Sequence, residues 1–292
     1  MSEQTYSIKD LEDISGIKTH TLRAWERRYK IFTPSRTSTN IRFYSDADLK
    51  KLLSISILLK NGVRISQAAL LNPEELKEKV RVYGFGDSDT VIDSLIIDMI
   101  EFNQFSFEKN LNRAIFNLGF EEAVKKVIYP FFNKVGILWL TNSINPAQEH
   151  FVSSIIIQKF FLAIDSLDQP KSSAKSFILY LPERELHELG LLLSYYLVRK
   201  FGHKAIYLGQ NMPMADVIKA LNSTKADYLL THFTSLFDKQ ELYEYLDNLS
   251  KESSPTTVFV SGNQINSLDK LPGNNIEYLS GPAALIDRLG KV

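Results

Sequence analysis

Two histidines, each close to an acidic residue, are the side chains of this sequence best suited to hold a ligand that contains a metal. His187 lies in the segment 185–190, Glu-Leu-His-Glu-Leu-Gly, shortly after the apolar run 177–181. An imidazole can bind a metal through one ring nitrogen while a carboxylate, here Glu185, holds the other nitrogen. His150 lies in a separate helical segment. The pattern predicts a ligand held between two domains, with a histidine on each side.

The position of His187 along the chain strengthens this interpretation. Open α/β sheets bind ligands outside the carboxyl ends of their strands, and the run 177–181 has the composition of a buried strand. Gly190 would allow close approach of the ligand or of the sheet. The alternative is that His187 is an ordinary histidine in the first turn of a surface helix.

Composition limits the class of protein. A chain of 292 residues with 44% apolar residues can form two or three domains with their own cores. The absence of cysteine excludes disulfides, zinc–thiolate sites and thiol catalysis. The first residues show no signal-peptide pattern, and the apolar runs are too short to span a bilayer. We therefore expect a soluble, cytoplasmic protein with no membrane association.

The chain divides into three predicted segments, joined by polar stretches at 73–89, which includes Gly84 and Gly86, and at 167–175. The fold class is multidomain α and α/β. The predicted domains are a winged helix-turn-helix (1–75), a four-helix bundle (88–167) and a Rossmann-like, flavodoxin-like parallel sheet (176–292). Helices are expected near 90–103, 107–118, 120–139 with a kink at Pro130, and 145–166 beginning at Pro146. Strands are expected at 177–182, 204–209, 228–233, 257–262 and 276–279, and a last helix near 283–290.

The first segment is basic although the whole chain is neutral. Between Lys18 and Lys51 there are nine Lys/Arg against three Asp/Glu, a local net of +6. Gly16 separates two predicted helices, and a polar turn before residues 41–44 is typical of a wing. This arrangement favours binding of double-stranded DNA over a merely solvated charged surface. The candidate DNA-binding residues are Lys18, Thr19, His20, Arg23, Arg27, Arg28, Arg36, Arg42 and Tyr44.

This segment resembles the MerR family of transcriptional regulators. The matching strings are Thr-Leu-Arg-Ala-Trp-Glu-Arg-Arg-Tyr at 21–29, Pro34, Arg-Thr at 36–37 and Asn-Ile-Arg-Phe-Tyr at 40–44. The Ala-Trp-Glu-Arg-Arg-Tyr version looks like the branch whose sensor domain binds cobalamin. No long uninterrupted dimerising helix follows, in contrast to many other members of the family.

The segment 185–190 resembles the Asp/Glu-x-His-x-x-Gly motif of cobalamin-binding domains, in which the histidine is the lower cobalt ligand. Trp139, nine intervening residues and Glu149-His150 resemble the four-helix cap of cobalamin-dependent light-sensing repressors of the CarH and LitR type. The resemblance implies adenosylcobalamin as the cofactor, with Trp139 and Glu149 around the adenosyl group. It also implies His150 as a possible upper cobalt ligand after photolysis.

Two positions depart from the cobalamin-binding pattern. Ser-x-Leu is replaced by Thr231-His232-Phe233, which keeps a hydroxyl but has a larger aromatic residue. Gly-Gly is replaced by Gly262-Asn263, whose side chain could crowd the nucleotide tail. The resemblance therefore gives the following cofactor-binding residues: Trp139, Glu149, His150, Glu185, His187, Gly190, Thr231 and Gly262.

The resemblance therefore implies a transcriptional regulator, not an enzyme, and a repressor in particular, although the sequence itself does not give the sign of regulation. Its dimeric or tetrameric state and its affinity for an operator would depend on bound adenosylcobalamin and on light. One alternative is a MerR-type regulator that keeps the sensor fold but acts through protein contacts without cobalamin. Another is a corrinoid carrier or methyl-transfer subunit, which shares 185–190 but has no use for Arg23, Arg36 and Arg42.

Overall fold

The protein is described as a computed structural model that covers residues 5–37, 39–83, 87–140, 144–170, 172, 174–234 and 238–292. It divides into two compact units, residues 1–155 and 156–292, with the boundary inside one long helix. The first unit contains β1 (Thr5–Tyr6), α1 (Ile8–Ser15), α2 (Thr19–Tyr29), β2 (Ser35–Arg36), β3 (Arg42–Ser45), α3 (Asp46–Lys60), α4 (Ile65–Ala68), α5 (Pro73–Tyr83), α6 (Ser88–Ile100), α7 (Gln104–Leu118), α8 (Phe120–Ala123), a π-helical segment (Val124–Ile128) and α9 (Tyr129–Leu140). The boundary helix is α10 (Pro146–Asp165).

The second unit contains the remaining elements. They are β4 (Ser176–Pro182), α11 (Leu189–Lys200), β5 (Lys204–Met212), α12 (Met214–Thr224), β6 (Tyr228–His232), α13 (Lys239–Ser253), β7 (Thr257–Ser261), a short 3-10 helix (Asn263–Ser267), β8 (Ile276–Tyr278) and α14 (Pro282–Leu289).

The helix-turn-helix and wing form as the sequence predicted. Ser7 caps α1 in a capping box, because its hydroxyl accepts from the Asp10 amide and the Asp10 carboxylate accepts from the Ser7 amide. Gly16 ends α1 in the left-handed conformation, with φ 74°. In the wing, β2 and β3 pair antiparallel, and β1 joins the other side of β3.

The prediction of a linker at 73–89 is wrong for most of its length, because Pro73–Tyr83 is helix α5. The Asn72 amide donates to the Glu75 carboxylate and the Glu75 amide donates to the Asn72 side chain, both at 2.9 Å. This reciprocal cap, with proline at the first helical position, is a helix-start signal that the polar composition concealed. The helix packs against α3, with Leu76 buried. Gly84 and Gly86 lie outside the described residues.

The four predicted helices of the next segment are present at α6, α7, α8–α9 and α10. The distortion expected at Pro130 takes the form of the π-helical turn Val124–Ile128 directly before it. A proline has no N–H for the carbonyl four residues earlier, and its ring crowds that carbonyl, so a wider turn upstream relieves the clash. Pro146 begins α10, as predicted.

A buried carboxylate joins the winged helix region to the helical bundle. Asp93 in α6 is fully buried, and its Oδ2 lies 2.8 Å from Lys60 Nζ in α3. Its Oδ1 lies 2.6 Å from Lys134 Nζ in α9. Helix α1 also contacts α9. The DNA-binding candidates and the helix that carries Trp139 therefore belong to one compact unit.

The second unit is a five-stranded parallel sheet in the order β5-β4-β6-β7-β8. Counted within the unit, this is the flavodoxin-like order 2-1-3-4-5. Right-handed crossovers run from β4 to β5 through α11 and then back past β4 to β6 through α12, so the two helices lie on opposite faces. Consistent with this, α11 contacts α14 and α12 contacts α13. The predicted doubly wound parallel sheet is confirmed, and β4 is buried along nearly its whole length.

Among the residues that the structure describes, no helix is long and apolar enough to cross a membrane.

We expect Asp93→Ala to lower the free energy of unfolding of the first unit by about 3 kcal/mol, because it leaves two ammonium groups without their buried counter-charge. The triple change Asp93→Leu, Lys60→Met, Lys134→Met should recover most of that loss, since it removes the charges together. Urea unfolding followed by circular dichroism measures both.

The matched control is Glu101→Ala, which breaks the half-exposed Lys50–Glu101 pair between helices α3 and the end of α6. It should cost less than about 1 kcal/mol. Equal losses for Asp93→Ala and Glu101→Ala would contradict the assignment of Asp93 as the buried link.

Candidate functional site

The order of the strands creates a crevice at one edge of the second unit. β4 lies between β5 and β6, and the chain leaves the carboxyl ends of β4 and β6 toward opposite faces of the sheet. This is the switch point at which flavodoxin-like sheets bind ligands. The segment 183–188 follows β4 at this edge, and residues 233–234 follow β6.

Glu185 and His187 form the hydrogen-bonded pair that the sequence predicted. Glu185 Oε1 lies 2.8 Å from His187 Nδ1 and accepts the His187 backbone N–H at 2.9 Å. The Glu185 side chain is fully buried, whereas 63% of the His187 side chain is exposed. With Nδ1 engaged by the carboxylate, coordination of a metal would use Nε2.

The same carboxylate is anchored to the neighbouring strand. The backbone N–H of Thr234, just beyond β6, donates to Glu185 Oε2 at 2.6 Å. A fully buried carboxylate is stable only when hydrogen bonds replace its lost hydration. The orientation of His187 is therefore fixed by both β4 and β6 and not by its own loop alone.

Gly190 packs against the ring of His232, at the end of β6. A Cβ on residue 190 would lie 3.1 Å from His232 Nδ1, which is tighter than ordinary contact. His232 Nε2 lies 2.9 Å from Ser194 Oγ in α11. The predicted close approach at Gly190 is thus to the sheet. Sequence reasoning gave His232 no partner, because its contacts lie about forty residues away along the chain.

The two departures from the cobalamin-binding pattern have structural explanations. Thr231 is fully buried in β6. Phe233 is also fully buried and lies 5.7 Å, ring to ring, from Tyr245, so its larger ring fills the core and not the crevice. Asn263 is exposed at the start of the 3-10 helix.

Gly262 is required by the backbone at this edge. It has φ 105°, and a Cβ there would lie 2.2 Å from the carbonyl oxygen of Phe233. Only glycine tolerates both the left-handed conformation and this approach. Gly262 therefore holds the ends of β6 and β7 together at the crevice, whatever else it contacts.

The three cap residues lie in the first unit. Trp139 is on α9, with 39% of its surface exposed. Glu149 and His150 are in the first turns of α10, which an Asn145–Gln148 reciprocal cap begins. The Ser153 hydroxyl donates to Glu149, and His150 Nδ1 lies 3.6 Å from the Glu149 carboxylate with most of its side chain exposed.

The predicted DNA-binding residues divide into exposed cations and internally bonded groups. The exposed side chains on α2 and the wing are His20, Arg23, Arg27, Arg28, Arg36 and Arg42. Glu26 lies between them: its carboxylate accepts from Arg42 Nε at 3.2 Å and from the Tyr44 hydroxyl at 3.0 Å. Glu26 thus fixes the wing relative to helix α2.

Tyr44 and Thr19 make internal hydrogen bonds, whereas Lys18 is exposed and pairs at the surface. Tyr44 is 1% exposed, and burial raises the pKa of its hydroxyl to about 12, so its ring belongs to the core. Thr19 donates to Glu12 through its amide and hydroxyl, and these bonds lower the pKa of Glu12 to about 2. Lys18 Nζ lies 3.2 Å from the same carboxylate. Glu12 therefore fixes the turn between α1 and α2, a contact that the sequence did not reveal.

Comparison with known proteins gives two family matches. The family model "MerR HTH family regulatory protein" matches residues 6–75, and the model "B12 binding domain" matches residues 91–162, which are helical here. The chain is 29% identical over 237 residues to the HTH-type transcriptional repressor CarH of Myxococcus xanthus, covering 78% of this chain and 79% of CarH. It is 23% identical over 261 residues to the repressor CarA of the same organism, covering 88% and 86%.

Among solved structures, the monomethylamine corrinoid protein of Methanosarcina barkeri is similar, with a TM-score of 0.55 over 69% of this chain and 98% of that protein. At 15% identity this likeness shows the fold alone. The family matches and the similarity to two repressors say more about function than the likeness in fold does. They include the helix-turn-helix, which the corrinoid protein match does not address. The chain therefore has a MerR-type helix-turn-helix and a B12-binding domain, and over most of its length it is similar to repressors of the CarH type.

Proposed function

We propose that this regulator represses transcription by binding an operator through residues 6–71, and that it binds adenosylcobalamin with His187 as the lower cobalt ligand. We further propose that the ligand and light control its oligomeric state and thereby its affinity for DNA. The observation that carries the proposal is the exposed imidazole of His187, held through Nδ1 by the buried Glu185 at the switch point of the sheet.

The residues at this edge fit a corrinoid. The ring of a corrinoid supplies most of the ligands of cobalt, so the protein needs to add one donor, and His187 is such a donor. Phe233 is directed into the core and does not narrow the crevice. Gly262 leaves the backbone at the end of β7 free of a side chain that could narrow the crevice.

The cap residues have proposed roles on the upper side of the ligand. Adenosylcobalamin, when bound, would supply a cobalt–carbon bond that is sensitive to visible light. Trp139, which is 39% exposed, would pack against the adenosyl group, and Glu149 would bind it. His150, exposed on the same turn as Glu149, would supply the base that takes the vacated position. If the cap residues change position when the adenosyl group leaves, an interface between subunits that depends on their first position would be lost.

We expect Arg42→Ala to weaken binding to all DNA sequences about equally and to reduce the slope of log affinity against log salt by about 0.9, the value for one phosphate contact. Arg23→Ala, on the exposed face of α2, should in addition reduce the preference for the operator, because it removes a side chain that can reach base edges. Fluorescence anisotropy with operator and scrambled duplexes at several salt concentrations measures both effects.

The control for these changes is Lys9→Ala, which removes an exposed cation of α1 that pairs with Asp13 at 2.9 Å. It should leave the slope and the preference unchanged. DNA binding that is insensitive to salt and to both arginine changes would contradict the proposed DNA-binding face.

We expect His187→Ala to abolish tight binding of adenosylcobalamin or to change the visible spectrum of the bound cofactor, because the cobalt loses its protein ligand. Glu185→Gln should act more mildly, by about 10- to 100-fold in affinity, since it alters only the group that orients the imidazole. Glu185 accepts several N–H groups, so the amide nitrogen of a glutamine would face one of those donors. Titration followed by absorption spectroscopy gives both affinity and spectrum.

Glu183→Gln is the matched control, because Glu183 is an exposed carboxylate two residues earlier in the same segment. Its titration should match that of the unaltered protein. If the unaltered protein stays colourless at every concentration of adenosylcobalamin, the cofactor proposal is wrong and the cofactor-independent regulator becomes the better account.

We expect the dark complex to be a larger oligomer than the illuminated one and to bind the operator more tightly, since several DNA-binding heads on one assembly bind with avidity. His150→Ala should still lose the adenosyl group in green light, but the exposed product should lack the spectrum of a cobalt with a second histidine. Size-exclusion chromatography and operator binding before and after full photolysis test this. Identical elution and affinity in the two states would refute light control even if cobalamin is bound.

The third account, a methyl-transfer or carrier subunit, takes its support from the fold alone. It gives no role to the exposed arginines of α2 and the wing. A protein that binds a corrinoid but shows no preference for any DNA sequence would favour it over the regulator.

A further inference from the structure

The end of β6 contacts the segment that carries His187 at two separate points. At the upstream point, the Thr234 amide donates to Glu185 at 2.6 Å. At the downstream point, the ring of His232 packs on Gly190 and bonds Ser194. His187 lies between these two points. The motif that 185–190 resembles includes both Glu185 and Gly190, but it assigns no role to His232.

The hydrogen bonds at the downstream point define the protonation of His232. The Ser194 hydroxyl lies 3.0 Å from the carbonyl oxygen of Gly190 and donates its single proton there. The oxygen of Ser194 must then accept from His232 Nε2–H, at 2.9 Å. This pairing corresponds to the neutral tautomer of His232 that carries its proton on Nε2. Burial lowers the pKa of His232 to about 4, which keeps this form through the physiological range.

The contact between His232 and Gly190 is closely matched in shape. The position that a Cβ of residue 190 would occupy is 3.1 Å from His232 Nδ1 and 3.4 Å from Cε1. Glycine lets the imidazole ring lie directly on the backbone of the first turn of α11. The ring and the Ser194–Gly190 bond together hold the beginning of α11 against the end of β6. A smaller side chain at 232 would leave a gap at this place.

We propose that His232 is a positioning residue for His187: it fixes the downstream end of the segment 185–190, as Thr234 fixes the upstream end, so that the imidazole of His187 is held in one place for cobalt. This proposal rests on the proposed cobalamin binding. According to this proposal, the affinity of His187 for cobalt depends on the contact between β6 and α11 as well as on the Glu185–His187 pair.

The experiment compares the unaltered full-length protein with His232→Ala and His232→Gln, with and without adenosylcobalamin. In the absence of the cofactor, hydrogen–deuterium exchange of the peptide that covers 185–194 should be roughly fivefold faster in His232→Ala, the change expected for loss of one hydrogen bond. With the cofactor, His232→Ala should bind about tenfold more weakly. It should also show a larger fraction of cobalt without a nitrogen ligand from the protein, as read from the visible spectrum.

His232→Gln is the conservative rescue. A glutamine amide can still donate to Ser194 Oγ, so exchange and spectrum should both return most of the way to those of the unaltered protein. A general loss of stability would not be repaired in the spectrum by this one hydrogen bond.

The matched control is His203→Ala. His203 is also a buried histidine of the second unit, with Nε2 3.3 Å from the Leu289 carbonyl, but it precedes β5 at the opposite edge of the sheet. It should lower thermal stability without changing exchange at 185–194 or the spectrum. If His232→Ala changes neither of these, or if His203→Ala changes both equally, the positioning role is refuted. If the unaltered protein takes up no corrinoid, the proposed function itself has failed, and the role assigned to His232 fails with it.

Discussion

The buried carboxylate of Glu185 is the constraint on which the candidate ligand site depends. Removing a carboxylate from water costs several kcal/mol unless strong hydrogen bonds replace its hydration. Here the donors come from two places, the His187 segment after β4 and the Thr234 amide after β6. The same bonds that stabilise the charge therefore set the position of the imidazole relative to the sheet. The site is a property of the sheet and not of a flexible loop.

The first unit uses a comparable device for a different purpose. Asp93, also fully buried, binds a lysine from α3 and a lysine from α9. Helix α3 follows the wing, and α9 carries Trp139 five residues after Lys134. A buried ion pair adds little net stability, but it is costly to break, and so it specifies one arrangement of the helices it joins. The exposed arginines of α2 and the wing and Trp139 of α9 are thus parts of one packed body.

Much of this architecture could be predicted because its signals are local. Capping residues at Ser7 and Ser45 mark helices α1 and α3, and the continuous apolar run of β4 marks a central parallel strand. The Glu185–His187 pair spans only two residues, so the sequence showed it directly. The comparison with known families then indicates which function these local features serve together.

The rest could not be predicted because it depends on residues far apart in the sequence, or on weak local signals. Helix α5 has few buried residues, so its polar composition suggested a linker although its cap was present. Tyr44 was predicted to bind DNA, but its ring is buried in the core. Its hydroxyl bonds Glu26, which is eighteen residues away in the sequence. His232 gains its role only when the sheet brings it to Gly190 and Ser194.

The most direct test of the account is electron paramagnetic resonance of the cobalt(II) form of the cofactor bound to protein that contains isotopically labelled histidine nitrogen. The account predicts that labelling changes the nitrogen splitting of the cobalt signal, and that His187→Ala removes this change. A splitting that is unaffected by labelled histidine would show that the nitrogen on cobalt comes from the corrinoid itself, and it would contradict the assignment of His187 as the lower ligand.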